Sequence, residues 1–160
     1  MSCIEEKVIL ITGASSGFGM VTAKKCVEHG AKVILGARRE DRLKELCESL
    51  GSKNAAFMTT DVTKKEDLNN LVNHGINIFG RIDSLVNNAG IMPLSFIEQG
   101  RTDEWDQMID VNIKGVLYAI DAVYSHMMER GSGQIINISS VAGKRLIPGS
   151  AVYSGTKFAV

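Results

Sequence analysis

A chain of 160 residues with 44% hydrophobic side chains can bury one sizeable core and no second one, so a single unit over residues 1–160 is expected. Eighteen basic and 18 acidic residues are intermixed and cancel, which excludes the electrostatic footprint of a nucleic-acid or anionic-membrane binder. Three cysteines, Cys3, Cys26 and Cys47, point to reduced thiols in a cytoplasmic protein, and Glu5-Glu6 ahead of a short apolar run reads as neither signal peptide nor membrane span.

Residues 7–12 (KVILIT) form a continuous aliphatic run, the signature of a strand buried on both faces of a parallel sheet. A helical stretch over 18–29 ends at Gly30, and a second strand follows at 31–37 (AKVILGA). A charged helix over 40–50 stops at Gly51. The alternation continues with a strand at 55–60, a helix at 64–79, a strand at 82–87, a long helix over 103–129 and a strand at 134–139. Five strands alternating with helices imply right-handed crossovers and a doubly wound, Rossmann-type α/β fold.

The turn 12–19 (TGASSGFG) leads from the first strand into the first helix. Small residues there let backbone N–H groups approach a pyrophosphate, whose charge the helix N-terminus also favours. Gly13 makes the turn, Gly17 permits the approach, and Gly19 lets the helix pack tightly on the sheet, with Ser15, Ser16 and Phe18 among them. A tight loop of small residues is the plainer alternative. The spacing G-x-x-x-G-x-G resembles that of the short-chain dehydrogenase/reductase family, and the resemblance covers essentially all of the chain. It implies reversible hydride transfer between a nicotinamide cofactor and a small alcohol or carbonyl substrate.

The second strand ends in Ala37-Arg38-Arg39, with no carboxylate for a ribose 2′-hydroxyl and a guanidinium suited to a 2′-phosphate. NADP(H) is the expected cofactor; the alternative is a solvated pair opening a helix. Ser16 stands where many NADP-dependent relatives carry a base, and so withholds a second phosphate ligand. At the end of the third strand, the resemblance implies that Asp61 lies near the adenine amino group and that Val62 adds a backbone contact. Asp61 alone suits a turn or helix cap equally well. Asn88, Ala89 and Gly90 resemble the family segment that floors the cofactor pocket, and a simple turn also accounts for them.

Tyr153 and Lys157 are four residues apart, so a helix beginning near Ala151 stacks them on one face, with the ammonium favouring an ionised phenol. Tyr153 is then a usable acid and base. Ser140, at the end of the fifth strand, can hold a substrate oxygen, whereas Ser139 faces the other side and is read as structural. Asn112 is locally out of place in mid-helix, and Gly115 shortly after it suggests an interrupted ladder. The resemblance implies that Asn112 completes an Asn-Ser-Tyr-Lys site, holding a water that links Lys157 to solvent; an exposed or capping Asn is the alternative. It further implies that Lys157 binds the nicotinamide ribose.

No metal is expected, because His29, His74 and His126 lack ligand spacing. The segment 88–93 (NAGIMP) resembles family members acting on small hydroxy acids. Family members continue beyond the point where this chain stops, so a longer protein is expected, and the family habit of pairing its long fourth and fifth helices implies a homodimer or homotetramer. Two other readings exist. A non-catalytic NADP(H) sensor has no need of the four site residues, and an interaction fragment would pair an exposed strand edge with another chain.

Overall fold

A computed structural model of the chain describes residues 3–145 and 147–160. Its five strands are β1 (Val8–Thr12), β2 (Lys32–Ala37), β3 (Ala55–Thr59), β4 (Ser84–Asn87) and β5 (Gln134–Asn137). They form one sheet in the order β3-β2-β1-β4-β5, every pairing parallel. The expected doubly wound fold is present.

β1 explains its own sequence. Each of its five residues is at most 5% exposed because both faces are covered. Ile9 and Ile11 join a core with Ala23 and Cys26 of α1 (Gly17–Glu28) and Leu43 and Leu46 of α2 (Glu40–Leu50). Val8 and Leu10 join the opposite core, with Leu68, Leu71 and Val72 of α3 (Lys65–Phe79). A strand with no solvent face has no reason to alternate polar and apolar residues. On α3 the buried set Leu68, Leu71, Val72 and Gly75 follows the helical period. A methyl at Gly75 would collide with Ile34, so glycine sets how closely this helix lies on β2.

The strands are one or two residues shorter than the sequence pattern, since flanking residues make single bonds outside the regular ladder. Asp83 N–H donates to Val8 O, for instance, and Ile138 N–H to Asn87 O. The helix expected over 103–129 is broken into α4 (Thr102–Ile109), a π turn (Asp110–Lys114) and α5 (Gly115–Glu129). Asn112 sits in the π turn. A last helix, α6 (Ala151–Ala159), follows a 3-10 turn at Val141–Gly143.

The strand order reverses at β1: β2 and β3 are added outward on one side of it, and the chain then crosses back to place β4 and β5 on the other. Ligands of open parallel sheets bind at such a reversal, beyond the strand C-termini. Among the described residues no helix is long and apolar enough to cross a membrane.

Candidate functional site

A cleft of about 410 Å³ opens at that reversal. Its walls come from the glycine turn (Gly13, Ser15, Ser16, Phe18), the β2 tip (Ala37, Arg38, Arg39), residues Thr60, Asp61 and Val62, the segment Asn88 to Ile91, and Val111. Eleven residues expected at the cofactor are thus gathered on one cavity. Gly17, Gly19, Asn112, Ser140, Tyr153 and Lys157 lie outside its lining.

Backbone geometry explains the glycines. Gly13 has φ +68°, and a Cβ there would stand 2.8 Å from Ala89 Cα. At Gly19 a Cβ would meet Asn88 Nδ2 at 2.5 Å and Gly13 O at 2.6 Å. Its close neighbours are therefore the Asn88 side chain and its own turn, rather than the sheet surface expected from the sequence. Thr12 completes the joint, its hydroxyl accepting the N–H groups of Asn88 (3.2 Å) and Ala89 (3.1 Å). Asn88 Nδ2 donates to Thr12 O and Gly13 O.

α1 begins without a side-chain cap on its first-turn N–H groups. Its N-cap residue, Ser16, instead accepts a 2.6 Å hydrogen bond from Arg39 Nη2, and Arg39 also donates to Ser15 Oγ through Nε (3.1 Å) and Nη2 (2.9 Å). Gly17 has φ +56°, with open space where a Cβ would stand. Free helix N–H groups, the positive end of a helix dipole and a cradle without side-chain bulk fit a pyrophosphate. The residues present therefore fit a dinucleotide.

Asp61 fills the turn role that its sequence context allowed and faces the cleft as well. Its Oδ1 accepts Thr63 N–H (3.0 Å) and Thr63 Oγ1–H (2.8 Å). Partial burial pushes its carboxyl up, but these bonds and the nearby charges of Arg38 and Lys64 bring it below the ordinary carboxylate value.

The residues read as chemical lie together beside the cleft. Lys157 is 7% exposed, its Nζ donates to Ile138 O (2.9 Å), and burial lowers its pKa. Ser139 Oγ donates to Lys157 O (2.8 Å), so the end of the β5 segment grips Lys157 by both its ammonium and its carbonyl. A methyl placed on Gly90 would lie 3.5 Å from Lys157 Nζ and 3.4 Å from Asn112 Oδ1, which puts both groups beside the cleft floor. Ser140 caps the 3-10 turn, its Oγ accepting Ala142 N–H at 3.1 Å. That turn packs against α6, since a Cβ on Gly143 would meet Lys157 O at 2.5 Å. Tyr153 is half-buried one helical turn before Lys157.

Asn112 is neither exposed nor a cap. Fully buried, it accepts Ile91 N–H at Oδ1 (2.9 Å) and donates from Nδ2 to Ile91 O (3.0 Å) and Thr156 Oγ1 (3.0 Å). Sequence reasoning missed Thr12, Thr156 and the bond from Arg39 to the serines. Of these, only Thr12 had a local signal, a hydroxyl at the strand end where the glycine turn begins.

An all-parallel sheet with a cleft at its reversal, entered by a glycine turn and an uncapped helix, defines a Rossmann-type nucleotide-binding protein. The family model described as short chain dehydrogenase matches residues 7–160, and the chain belongs to that family of oxidoreductases. It is 54% identical over 160 residues to an uncharacterized oxidoreductase of Staphylococcus saprophyticus, covering all of this chain and 65% of that one. Serine dehydrogenase from Escherichia coli has a similar structure, with TM-score 0.90 and 37% identity over 95% of this chain and 70% of that one. A closed form of serine dehydrogenase complexed with NADP+ matches with the same TM-score and identity, 61% of it being covered. A short-chain dehydrogenase/reductase from Burkholderia phymatum in complex with NAD matches with TM-score 0.94 and 29% identity, over 99% of this chain and 58% of that one. This chain spans about two thirds of the length of its curated relatives.

Proposed function

We propose that the chain is the dinucleotide-binding and catalytic unit of an NADP(H)-dependent oxidoreductase interconverting a small alcohol or hydroxy acid with its carbonyl form. The observation that carries the reading is the junction of cleft and α6, where Gly90 has Lys157 Nζ and Asn112 Oδ1 at its side. The bound nicotinamide supplies or takes up hydride. Gly13, Gly17 and the first turn of α1 hold its pyrophosphate, Asp61 and Val62 flank the adenine, and Lys157 meets the nicotinamide ribose.

The remaining chemistry belongs to the chain. Ser140 Oγ accepts from Ala142 N–H and so keeps its own proton to donate to a substrate oxygen. Tyr153 exchanges a proton with that oxygen. The Lys157 ammonium is carried one turn further along the same helix.

Arg38 and Arg39 support NADP(H) over NAD(H), since both line the cleft where an NAD-selecting carboxylate would stand. Ser16 is less of a defect for phosphate binding than its position suggests, because it holds the Arg39 guanidinium at that place. The serine dehydrogenase likeness supports a small hydroxy acid as substrate. Leu117, Tyr124 and Met128 form an exposed apolar stripe on α5, which supports a homodimer or homotetramer. The free thiols of the buried Cys26 and Cys47 suit the cytoplasm.

The decisive experiment replaces Tyr153 with Phe in the full-length protein and measures NADPH oxidation against panels of ketones and keto acids. Turnover should fall by roughly 10² to 10⁴ while NADPH binding persists. Parental turnover would place the catalytic acid elsewhere.

A further inference from the structure

Thr156 lies between Tyr153 and Lys157 in sequence and is 2% exposed. Its hydroxyl donates to Tyr153 O at 2.7 Å and accepts from Asn112 Nδ2 at 3.0 Å. The other Nδ2 proton of Asn112 goes to Ile91 O, and Asn112 Oδ1 takes the Ile91 N–H. One continuous chain of hydrogen bonds therefore runs from the Ile91 peptide through Asn112 and Thr156 to the Tyr153 carbonyl. Its two ends belong to different parts of the site. Ile91 lines the cleft next to Gly90, and the Tyr153 carbonyl belongs to the turn of α6 that carries the phenol.

A threonine bonded back to the carbonyl three residues earlier ordinarily competes with the helix ladder and gives a helix little. Here the hydroxyl also accepts from Asn112, so it works as a bridge between two elements rather than as a local turn. Asn112 is delivered by the π turn, and the bond to Thr156 ties that turn to α6. Valine at this position would fill nearly the same volume, remove both bonds and leave a buried amide proton of Asn112 without its partner.

We infer that Thr156 is a positioning residue of the reaction, holding the Tyr153 turn of α6 in register with the cleft floor through Asn112 and Ile91. It acts through Tyr153, and the inference rests on the reading of that residue as the proton-transfer group. Small displacements of an aligned reacting group are costly, a shift of about 1 Å removing up to roughly a hundredfold in rate.

The test compares Thr156→Val, Thr156→Ala and Thr156→Ser with the parent in the full-length protein, each corrected for its folded fraction. Thr156→Val should lower kcat roughly tenfold to a hundredfold, while KM for substrate and Kd for NADPH stay within about twofold. Thr156→Ser, which keeps the hydroxyl, should restore kcat. In the cofactor-free protein, exchange of the Ile91 amide proton should accelerate in Thr156→Val and remain slow in Thr156→Ser. Should the valine variant fail to fold, Thr156→Ala removes the same hydroxyl without a second methyl to accommodate. Parental kcat in the valine or alanine variant, or a serine variant as impaired as either, overturns the proposal. Tyr153→Phe in the same series separates the two ideas. Its parental turnover overturns the reading of Tyr153 and the role of Thr156 with it; an inactive Tyr153→Phe beside a fully active Thr156→Val overturns the role of Thr156 alone.

Discussion

Arg38 and Arg39 are neighbours at the tip of β2 with different surroundings. The Arg39 guanidinium is hydrogen-bonded across Ser15 and Ser16, whereas Arg38 lies close enough to Asp61 for its charge to lower that carboxyl. Sequence reasoning found both arginines and expected Arg38 to pair with the 2′-phosphate, but the bonding of Arg39 to the serines was not legible, because it depends on how the glycine turn folds back onto β2. Arg38→Asp should reverse a preference for NADPH over NADH of about tenfold to a hundredfold, the size of one charge-assisted pairing, as read by calorimetry with each cofactor. Equal affinities in the parent would remove the basis for this assignment. Lys157 allows a second test. Burial lowers its pKa, so the unfolded chain holds that proton more tightly than the folded one, and burying the ammonium costs stability at neutral pH. The cost fades as pH rises from the lowered value towards that of a free lysine, so stability should climb through this window. Lys157→Met should abolish that climb and unfold at no lower temperature near neutrality, although turnover is lost; thermal denaturation from pH 7 to 10.5 reads both.

The helix over 103–129 was legible as a helix, and Asn112 and Gly115 were legible as an irregularity within it. The form of the irregularity was not, because a π turn is specified by what its inserted side chain reaches. That partner is the Ile91 peptide, 21 positions away in sequence. Ala at position 112 would keep helix propensity and remove three hydrogen bonds from a fully buried position. Asn112→Ala should therefore cost about 2 to 4 kcal/mol in denaturant unfolding, with Ile91 and Thr156 left short of partners. Unfolding within about 0.5 kcal/mol of the parent would show that water or local repacking replaces the amide. Strand ends were less legible than strand centres for a related reason. The apolar pattern reports burial, which is already complete at Ile82, before the regular ladder begins at Ser84.

At the scale of the whole molecule, the two ends of the sheet do different work. The C-terminal end carries the cleft, while the N-terminal end is closed around Asp83. Its carboxylate accepts Val8 N–H (2.9 Å), Arg81 Nε (3.0 Å) and Arg130 Nη2 (3.1 Å), joining β1, the approach to β4 and the end of α5. Burial alone pushes the Asp83 carboxyl up, but the Val8 N–H and the two guanidinium groups hold it below its ordinary value. A lowered carboxyl adds stability above the unfolded value near 3.9 that disappears as pH falls through the folded value. Asp83→Asn should cost about 2 to 3 kcal/mol at pH 7 and should lose less stability than the parent between pH 5 and pH 2, measured by urea unfolding. An unchanged acid profile would move that sensitivity to other carboxyls. This cluster was invisible in the sequence, because Arg81 and Arg130 are 49 residues apart and nothing local pairs them. The sheet order itself was expected only as a class, since periodicity identifies strands without saying which lie side by side.

The order β3-β2-β1-β4-β5 also sets a schedule. As a chain leaves the ribosome, its first three strands can pair with one another as soon as they emerge, without waiting for anything downstream. The glycine turn, both arginines and Asp61 all lie within or next to those strands, whereas Asn88, which braces the turn, and then Asn112 and Lys157 are made later. At ordinary rates of synthesis the interval lasts several seconds. The residues that would hold the phosphates are thus made before those read as carrying out the chemistry.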